Sequence, residues 1–400
     1  MNLLNKTWLH QLVVILTTTM ILFWCLPELF LNLNTTLINM NGDGLKNYYT
    51  MIYHVRHGEG LYFKGFAYPY GDLVTFTDNQ PLLAVSLSWL NSMGLPTGKY
   101  VIGLFNFFLL VSPILCAVFL YLIFRHYQVS AQWSIGFAVV VALLSPQFDR
   151  IYGHYGMSYC FIIPSIWYYF IRYWQSGFRL GWFFVITLSI FFYSLLHAYL
   201  LVISSIFLLC YAGVYCIVNL KNWRQHIKPA GAVFIAGLAP VALFLVFMWW
   251  ADIYKDRVTV PWGFTLFRAS FSSLFYSDRS TLGLLLPKFI KPGPYIPEGF
   301  AYVSFWGVFV FAFVVIRGLV IMVKSRKISL SPLTVLNQVD YRVLLITGGL
   351  VFLAANIFPF YYAPFNNWSD YLFGINQFRA TGRYAWVCYY IFMVVMSLFF

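Results

Sequence analysis

Long apolar runs separated by short polar breaks cover most of the chain. The first, Trp8 to Leu31, can cross a bilayer as a helix, since ~20 helical residues suffice. Lys6 precedes it, the run is long for a signal-peptide core, and no small-residue cleavage site follows. It is therefore expected to be an uncleaved span with a cytoplasmic N-terminus. Further candidate spans are Tyr100–Phe124, Ala131–Ser145, Tyr155–Tyr173, Leu180–Leu196, Tyr199–Val218, Pro229–Trp250, Ala301–Ile321, Val343–Phe360 and Tyr384–Phe400. The pattern thus predicts about ten spans, of which Ala131–Ser145 is short. Two longer outer loops, 32–98 and 251–300, interrupt it, and Pro81 to Met93, too short to span, reads as an interfacial helix. The last apolar run reaches the C-terminal residue, which predicts a truncated chain or a fragment of a longer protein.

Charge gives the pattern an orientation. If the first span starts inside, alternate loops carry Lys6, Arg125, Arg172, Arg179, Lys221, Arg224, Lys228, Arg317, Lys324, Arg326, Lys327 and Arg342, with Asp340 as the one acid. The opposite loops hold the other 13 basic residues and 11 of the 12 acids. Short loops rich in Lys and Arg stay cytoplasmic, so the long acidic loops face outward. Composition agrees: 61% of residues are apolar and 9% charged, where soluble domains carry about 25%. The net charge of +13 therefore reads as loop bias, and no nucleic-acid partner is expected. The six cysteines lie in or beside apolar runs, without disulfide or zinc spacing. The expected fold is all-α, a polytopic helical bundle forming one transmembrane domain over residues 1–400. No sequence repeat points to an inverted-repeat transporter.

Chemistry concentrates in the first outer loop. Asp43 stands between Gly42 and Gly44, followed by Lys46, Asn47, Tyr48 and Tyr49. Glycines permit a sharp turn and close approach of a ligand, and such a carboxylate suits a general base acting on a hydroxyl. The alternative is a turn leading into a helix with Asp43 as its N-cap. Asp78 and Gln80 lie further along the same loop. Asp149, Arg150 and His154 cluster at the outer end of the third span, either as a polar pathway or as a neighbour ion pair of little energy. His197 lies at an outer junction of two spans, as a structural imidazole or a phosphate donor. Glu298 precedes a later span in a loop that also reads as an interfacial hairpin. Arg379 and Arg383 are four apart, so a helix would put both guanidiniums on one face, suited to a phosphate or to lipid headgroups.

One long span, a large outer loop opening with Gly42-Asp43-Gly44, and a second acid, Asp149, after the third span together resemble the GT-C superfamily of membrane glycosyltransferases. That superfamily includes protein O-mannosyltransferases, the lipid A aminoarabinose transferase and oligosaccharyltransferase. The resemblance covers roughly the first 200 residues, and the rest by general plan. It implies transfer of a sugar, with inversion, from a polyprenyl-phosphate-linked donor to a lipid, glycan or protein acceptor. Asp43 matches the base, Asp149 the second-loop acid. A single aspartate stands where some members have an acidic pair, which leaves Asp78 or Glu298 as a second carboxylate and a divalent cation as a candidate cofactor. The expectation is thus a multi-pass enzyme among the lipids of the plasma (inner) membrane, with its site on the extracytoplasmic face. Its rivals are a transporter or flippase of lipid-linked saccharides and a non-catalytic protein of cell-envelope polysaccharide assembly. A transporter needs ionisable groups near mid-span; here the acids lie in outer loops.

Overall fold

The computed structural model describes residues 4–58, 60–66, 68–254, 257–258, 262–277, 280, 296–325, 339–365 and 377–399. Arg326 and Lys327, two of the twelve basic residues named above, lie outside them. The described chain is helical apart from one antiparallel pair of two-residue strands. The chain divides into two compact units. The first is Met1–Ser205 with Ala236–Lys255, the second Ile206–Ile235 with Asp256–Phe400.

Among the described residues, five helical stretches are long and apolar enough to cross a membrane: Thr7–Cys25, Thr97–His126, Ala131–Tyr152, Ala198–Val218 and Leu220–Ala251. They correspond to five of the ten expected spans. Three shorter apolar helices, Leu180–Ser194, Ser304–Val320 and Tyr341–Ala355, fall at three more. The expected first span differs in detail. Helix α1 (Leu4–Cys25) stops at Leu26, and a separate short helix, α2, covers Pro27–Leu31. Pro27 is the cause: its ring disfavours helical backbone at Leu26 and starts α2 at the position where a missing N–H costs nothing.

In the first unit, α3 is Gly42–His57, β1 Tyr62–Phe63, β2 Asp72–Leu73, α4 Pro81–Ser92, α5 Thr97–His126, α6 Ala131–Leu143, α7 Ile162–Gln175 and α8 Leu180–Ser194. Helix α5 is the scaffold, since α1, α3, α4, α6 and α7 all pack against it. The expected span from Tyr155 is shorter than read. Residues 148–152 and 155–157 form 3₁₀ turns, and α7 has 14 residues, less than a bilayer crossing needs.

Near its start α5 kinks at Tyr100. Asn34 of the preceding loop inserts there: its amide nitrogen donates to Lys99 O (3.2 Å) and its Oδ1 accepts from Gly103 N–H (3.0 Å). These two groups would otherwise bond each other in the helical ladder, and a side chain wedged into that ladder bends a helix. A Cβ on Gly103 would lie 3.1 Å from Asn34 Oδ1, so a small residue is needed for the insertion. One turn on, the buried Asn106 donates to both Leu33 O and Thr36 O, each at 2.8 Å. Two asparagines thus fasten the loop before α3 to α5, which fixes where α3 begins.

The second unit contains a short helix α11 (Ser272–Phe275), and α12 (Ser304–Ser325), α13 (Val339–Ala355) and α14 (Ala385–Phe399); α12 and α13 both pack on α14. Helices α9 (Ala198–Val218) and α10 (Trp223–Ala251) contain the divisions between the units.

Candidate functional site

The Gly-Asp-Gly turn has a definite geometry. Asn41, in extended conformation, is the residue before α3, and Asp43 lies in the first turn of the helix. This corrects the N-cap alternative for Asp43, because the helix begins one residue before it. A carboxylate in the first turn is favoured by the helix dipole. Gly42 has φ +50°, left-handed backbone that glycine adopts without strain. Gly44 serves packing: a Cβ there would meet Asn39 Cβ and O at 2.8 Å. Asn39 in turn donates its amide to Tyr152 O and its backbone N–H to Tyr155 OH, and accepts from Asn41 N–H (2.9 Å). The start of α3 is thereby stapled to the 152–155 segment.

Four predicted residues meet at this point. Lys46 Nζ is 3.1 Å from Asp43 Oδ1, one helical turn away, and also contacts Asp78 Oδ2. His154 Nε2 lies 3.7 Å from the other oxygen of Asp43. The four side chains keep between 33% and 47% of their surface open, so a ligand can reach them. Asp78 arrives from the turn after a 3₁₀ segment, Val74–Phe76, with left-handed backbone (φ +57°), a conformation that aspartate tolerates better than most residues. Its neighbour Asn79 anchors that turn by donating to Thr50 O (3.1 Å) and accepting from Gln80 N–H (2.8 Å).

Burial alone would push the Asp78 carboxyl up, but the Lys46 ammonium outweighs it, with His197 and His154 adding to the pull, and the carboxyl is held below its ordinary range. Lys46 mirrors this. Burial opposes its charge, and its two carboxylate partners, Asp78 first and Asp43 second, raise it above its ordinary value. His197 belongs to the same field. It packs against Gly156, where a Cβ would lie 3.3 Å from its Cδ2, and its Nδ1 accepts from Tyr199 N–H (3.3 Å).

Other predicted residues have different settings. Asp149 is half-buried in the 3₁₀ turn Phe148–Tyr152. Arg150, on the same turn, is buried and takes His154 N–H on its backbone oxygen (3.0 Å). Tyr48 is fully buried, its hydroxyl donating to Asn106 Oδ1 (2.5 Å) and its ring edge-on to Phe105 and Tyr155. Its face is filled by packing, so it carries the scaffold and not a ligand. Gln80 is likewise buried and accepts from Tyr159 OH (2.5 Å). Asn39 and Gly153 are not among the residues the sequence singles out, and Asn47 stands there only as a neighbour of Asp43. Asn47 Nδ2 donates to Asp43 O (2.8 Å) and Gly153 O (3.5 Å), tying α3 to the backbone just before His154. The turn-forming run Asn39-Met-Asn-Gly was the available signal.

The arginines and Glu298 belong to the second unit. The expectation that Arg379 and Arg383 share a helical face is corrected. Arg379 precedes the 3₁₀ turn Thr381–Tyr384, in which Arg383 lies, and α14 begins after it. Close packing explains the break: Gly382 sits where a Cβ would be 2.7 Å from Gly299 Cα, and its N–H donates to Phe267 O (2.9 Å). Arg383 is buried; Arg379 is exposed and donates to Trp262 O (3.2 Å). Glu298 is half-buried in the facing 3₁₀ turn Pro297–Gly299.

Among the described residues, no group of three or more His, Cys, Asp or Glu side chains is placed to hold a metal ion. No curated protein and no solved structure matches the chain. Residues 14–400 match the family described as Domain of unknown function (DUF6311), and with nearly the whole length matched, the chain belongs to that family.

Proposed function

We propose that the protein is an inverting membrane glycosyltransferase that uses a polyprenyl-phosphate-linked sugar, with Asp43 as general base. The observation that carries this reading is the open cluster of Asp43, Lys46, Asp78 and His154 at the start of α3. In the reaction the acceptor hydroxyl attacks the anomeric carbon and its proton passes to Asp43. The bond from that carbon to the phosphate oxygen breaks, and polyprenyl phosphate leaves with the electron pair. Lys46 holds one oxygen of the carboxylate, with His154 3.7 Å from the other, so its orientation does not have to be established during the reaction. The exposed rings of Tyr68, Tyr70 and Tyr152, carried by the loops of the same unit, offer the apolar faces and hydroxyls that sugars stack on. The ten-span arrangement, with this cluster outside the plasma membrane, is part of the same proposal and rests on the basic short loops.

The test is transfer of a radiolabelled sugar from added polyprenyl-phosphate sugar by membranes containing the wild type or Asp43→Asn. The amide keeps the shape but cannot take the proton, so transfer should fall by about 10²–10⁴, the usual worth of general-base help. Near-normal turnover by a folded Asp43→Asn protein would remove Asp43 from the chemistry.

A further inference from the structure

Asp43 and Asp78 come from separate stretches of chain, and each directs a carboxylate oxygen at the same ammonium, Lys46 Nζ. His154 adds an imidazole nitrogen at the far oxygen of Asp43. Two carboxylates left side by side repel, and one of them would take up a proton. A cation between them removes that penalty. In proteins a divalent ion commonly fills this place, drawing on carboxylate and imidazole ligands. Here the chain supplies the cation itself, on the helix that carries Asp43, and Asp78 is brought to it by a left-handed backbone position.

We propose that Lys46 is the resident cation of the site: its ammonium occupies the position from which a divalent ion would bridge Asp43 and Asp78, and the site works without such an ion. This deepens the glycosyltransferase reading and rests on it for its chemical meaning. Lys46 acts through the two carboxylates and is a positioning residue. Its three donors reach both of them and carry one charge, which offsets their mutual repulsion without drawing the nearby imidazole into coordination. As they stand, Asp43, Asp78 and His154 are not placed to hold a metal ion; with the ammonium gone, closure of the two carboxylates and a shift of the imidazole would bring together oxygen and nitrogen donors of the kind Mn²⁺ takes.

The experiment is titration of the detergent-purified full chain with Mn²⁺, read by electron paramagnetic resonance, which needs no substrate and no activity. The wild type and Lys46→Arg should show no stoichiometric ion. Lys46→Met should bind one per chain, at least about tenfold tighter than wild type, and Asp78→Asn added to Lys46→Met should abolish the gain. Lys46→Gln stands in if the Met variant does not fold, as judged by gel filtration and thermal unfolding. Stoichiometric Mn²⁺ on the wild type that Asp78→Asn removes would overturn the proposal, and so would a folded Lys46→Met or Lys46→Gln protein that gains nothing. A parallel transfer assay in EDTA separates this idea from the proposed function. Transfer that survives EDTA supports both, transfer that EDTA abolishes sinks the resident-cation idea alone, and absence of transfer under every condition sinks the glycosyltransferase reading while the Mn²⁺ titration still decides the role of Lys46.

Discussion

At the scale of single residues, the sequence supplies the reactive types but not their partners. Asp43, Lys46, Asp78 and His154 all stand out as polar groups in an oily chain. Yet nothing in their spacing says that Asp78 reaches the lysine beside Asp43, because that contact depends on a left-handed turn and on Asn79 holding it. Tyr48 and Gln80 show the converse. Their types suit a ligand, and only burial reveals that the fold uses them for packing and internal hydrogen bonds. The Asp78–Lys46 pair also has a pH signature. The folded-state value of Asp78 is depressed, so its contribution to stability is complete above the ordinary 3.8 and is lost as pH falls through the lower folded value. Lys46 is raised, so its contribution is complete below 10.5 and is lost only as pH rises through its folded value. The pair is partly open to solvent, which limits its worth to about 1 kcal/mol or less. Asp78→Asn should therefore unfold at a slightly lower temperature than wild type near neutral pH, and the two should converge in acid. Thermal unfolding of the detergent-solubilised proteins across pH checks this; curves that stay parallel into acid would assign the difference to something other than the carboxylate.

Among the elements, the apolar runs translate well into helices, and their ends translate poorly. Helix α9 starts within one residue of its expected position, while the first run is divided by Pro27 and α7 begins seven residues late. The late start follows from the 148–157 segment, whose apolar and aromatic residues fit a helix by composition but fold as two 3₁₀ turns. The small hairpin β1–β2 was not legible at all, since two-residue strands leave no alternation to read. Its attachment is clear in the structure. Phe63 and Phe66 pack on Tyr49 and Tyr53 of α3, and Tyr62 OH donates to Ala251 O (2.6 Å) while accepting from Ile253 N–H (3.1 Å) at the end of α10. Tyr254 OH makes a second fastening, to Tyr70 O and Gly71 O. Tyr62→Phe deletes the bridging hydroxyl and leaves Ala251 O and the solvent-exposed Ile253 N–H without it, at a cost of about 0.5–1.5 kcal/mol, the net worth of an ordinary hydrogen bond. Faster hydrogen exchange at the Ile253 amide, with unchanged exchange in α5, is the expected readout. Unchanged exchange at Ile253 would mean that the hairpin is held by its ring packing alone.

For the molecule as a whole, composition points to a membrane protein, and five helices long and apolar enough to span among the described residues agree with it. The number of crossings is harder to read, because hydropathy counts apolar residues and not helix length, and α7 and α8, at 14 and 15 residues, fall short of a full span. The two units are hard to read for a related reason: two of the three boundaries between them lie inside α9 and α10, where an unbroken apolar run gives no linker to notice. Orientation is the property for which sequence makes the sharper statement. Twelve basic residues against one acid in the short loops predict that Asn222, between α9 and α10, faces the cytoplasm, and that Thr265, in the 251–300 loop, faces outward. Both positions are exposed, so a cysteine at either can react. In a background with the six native cysteines replaced, an impermeant maleimide added to intact cells should label Thr265→Cys at once, and Asn222→Cys only after the membrane is permeabilised. Labelling of Asn222→Cys from outside would invert the orientation, and with it the Asp43 cluster would lie on the cytoplasmic face, away from an extracytoplasmic sugar carrier.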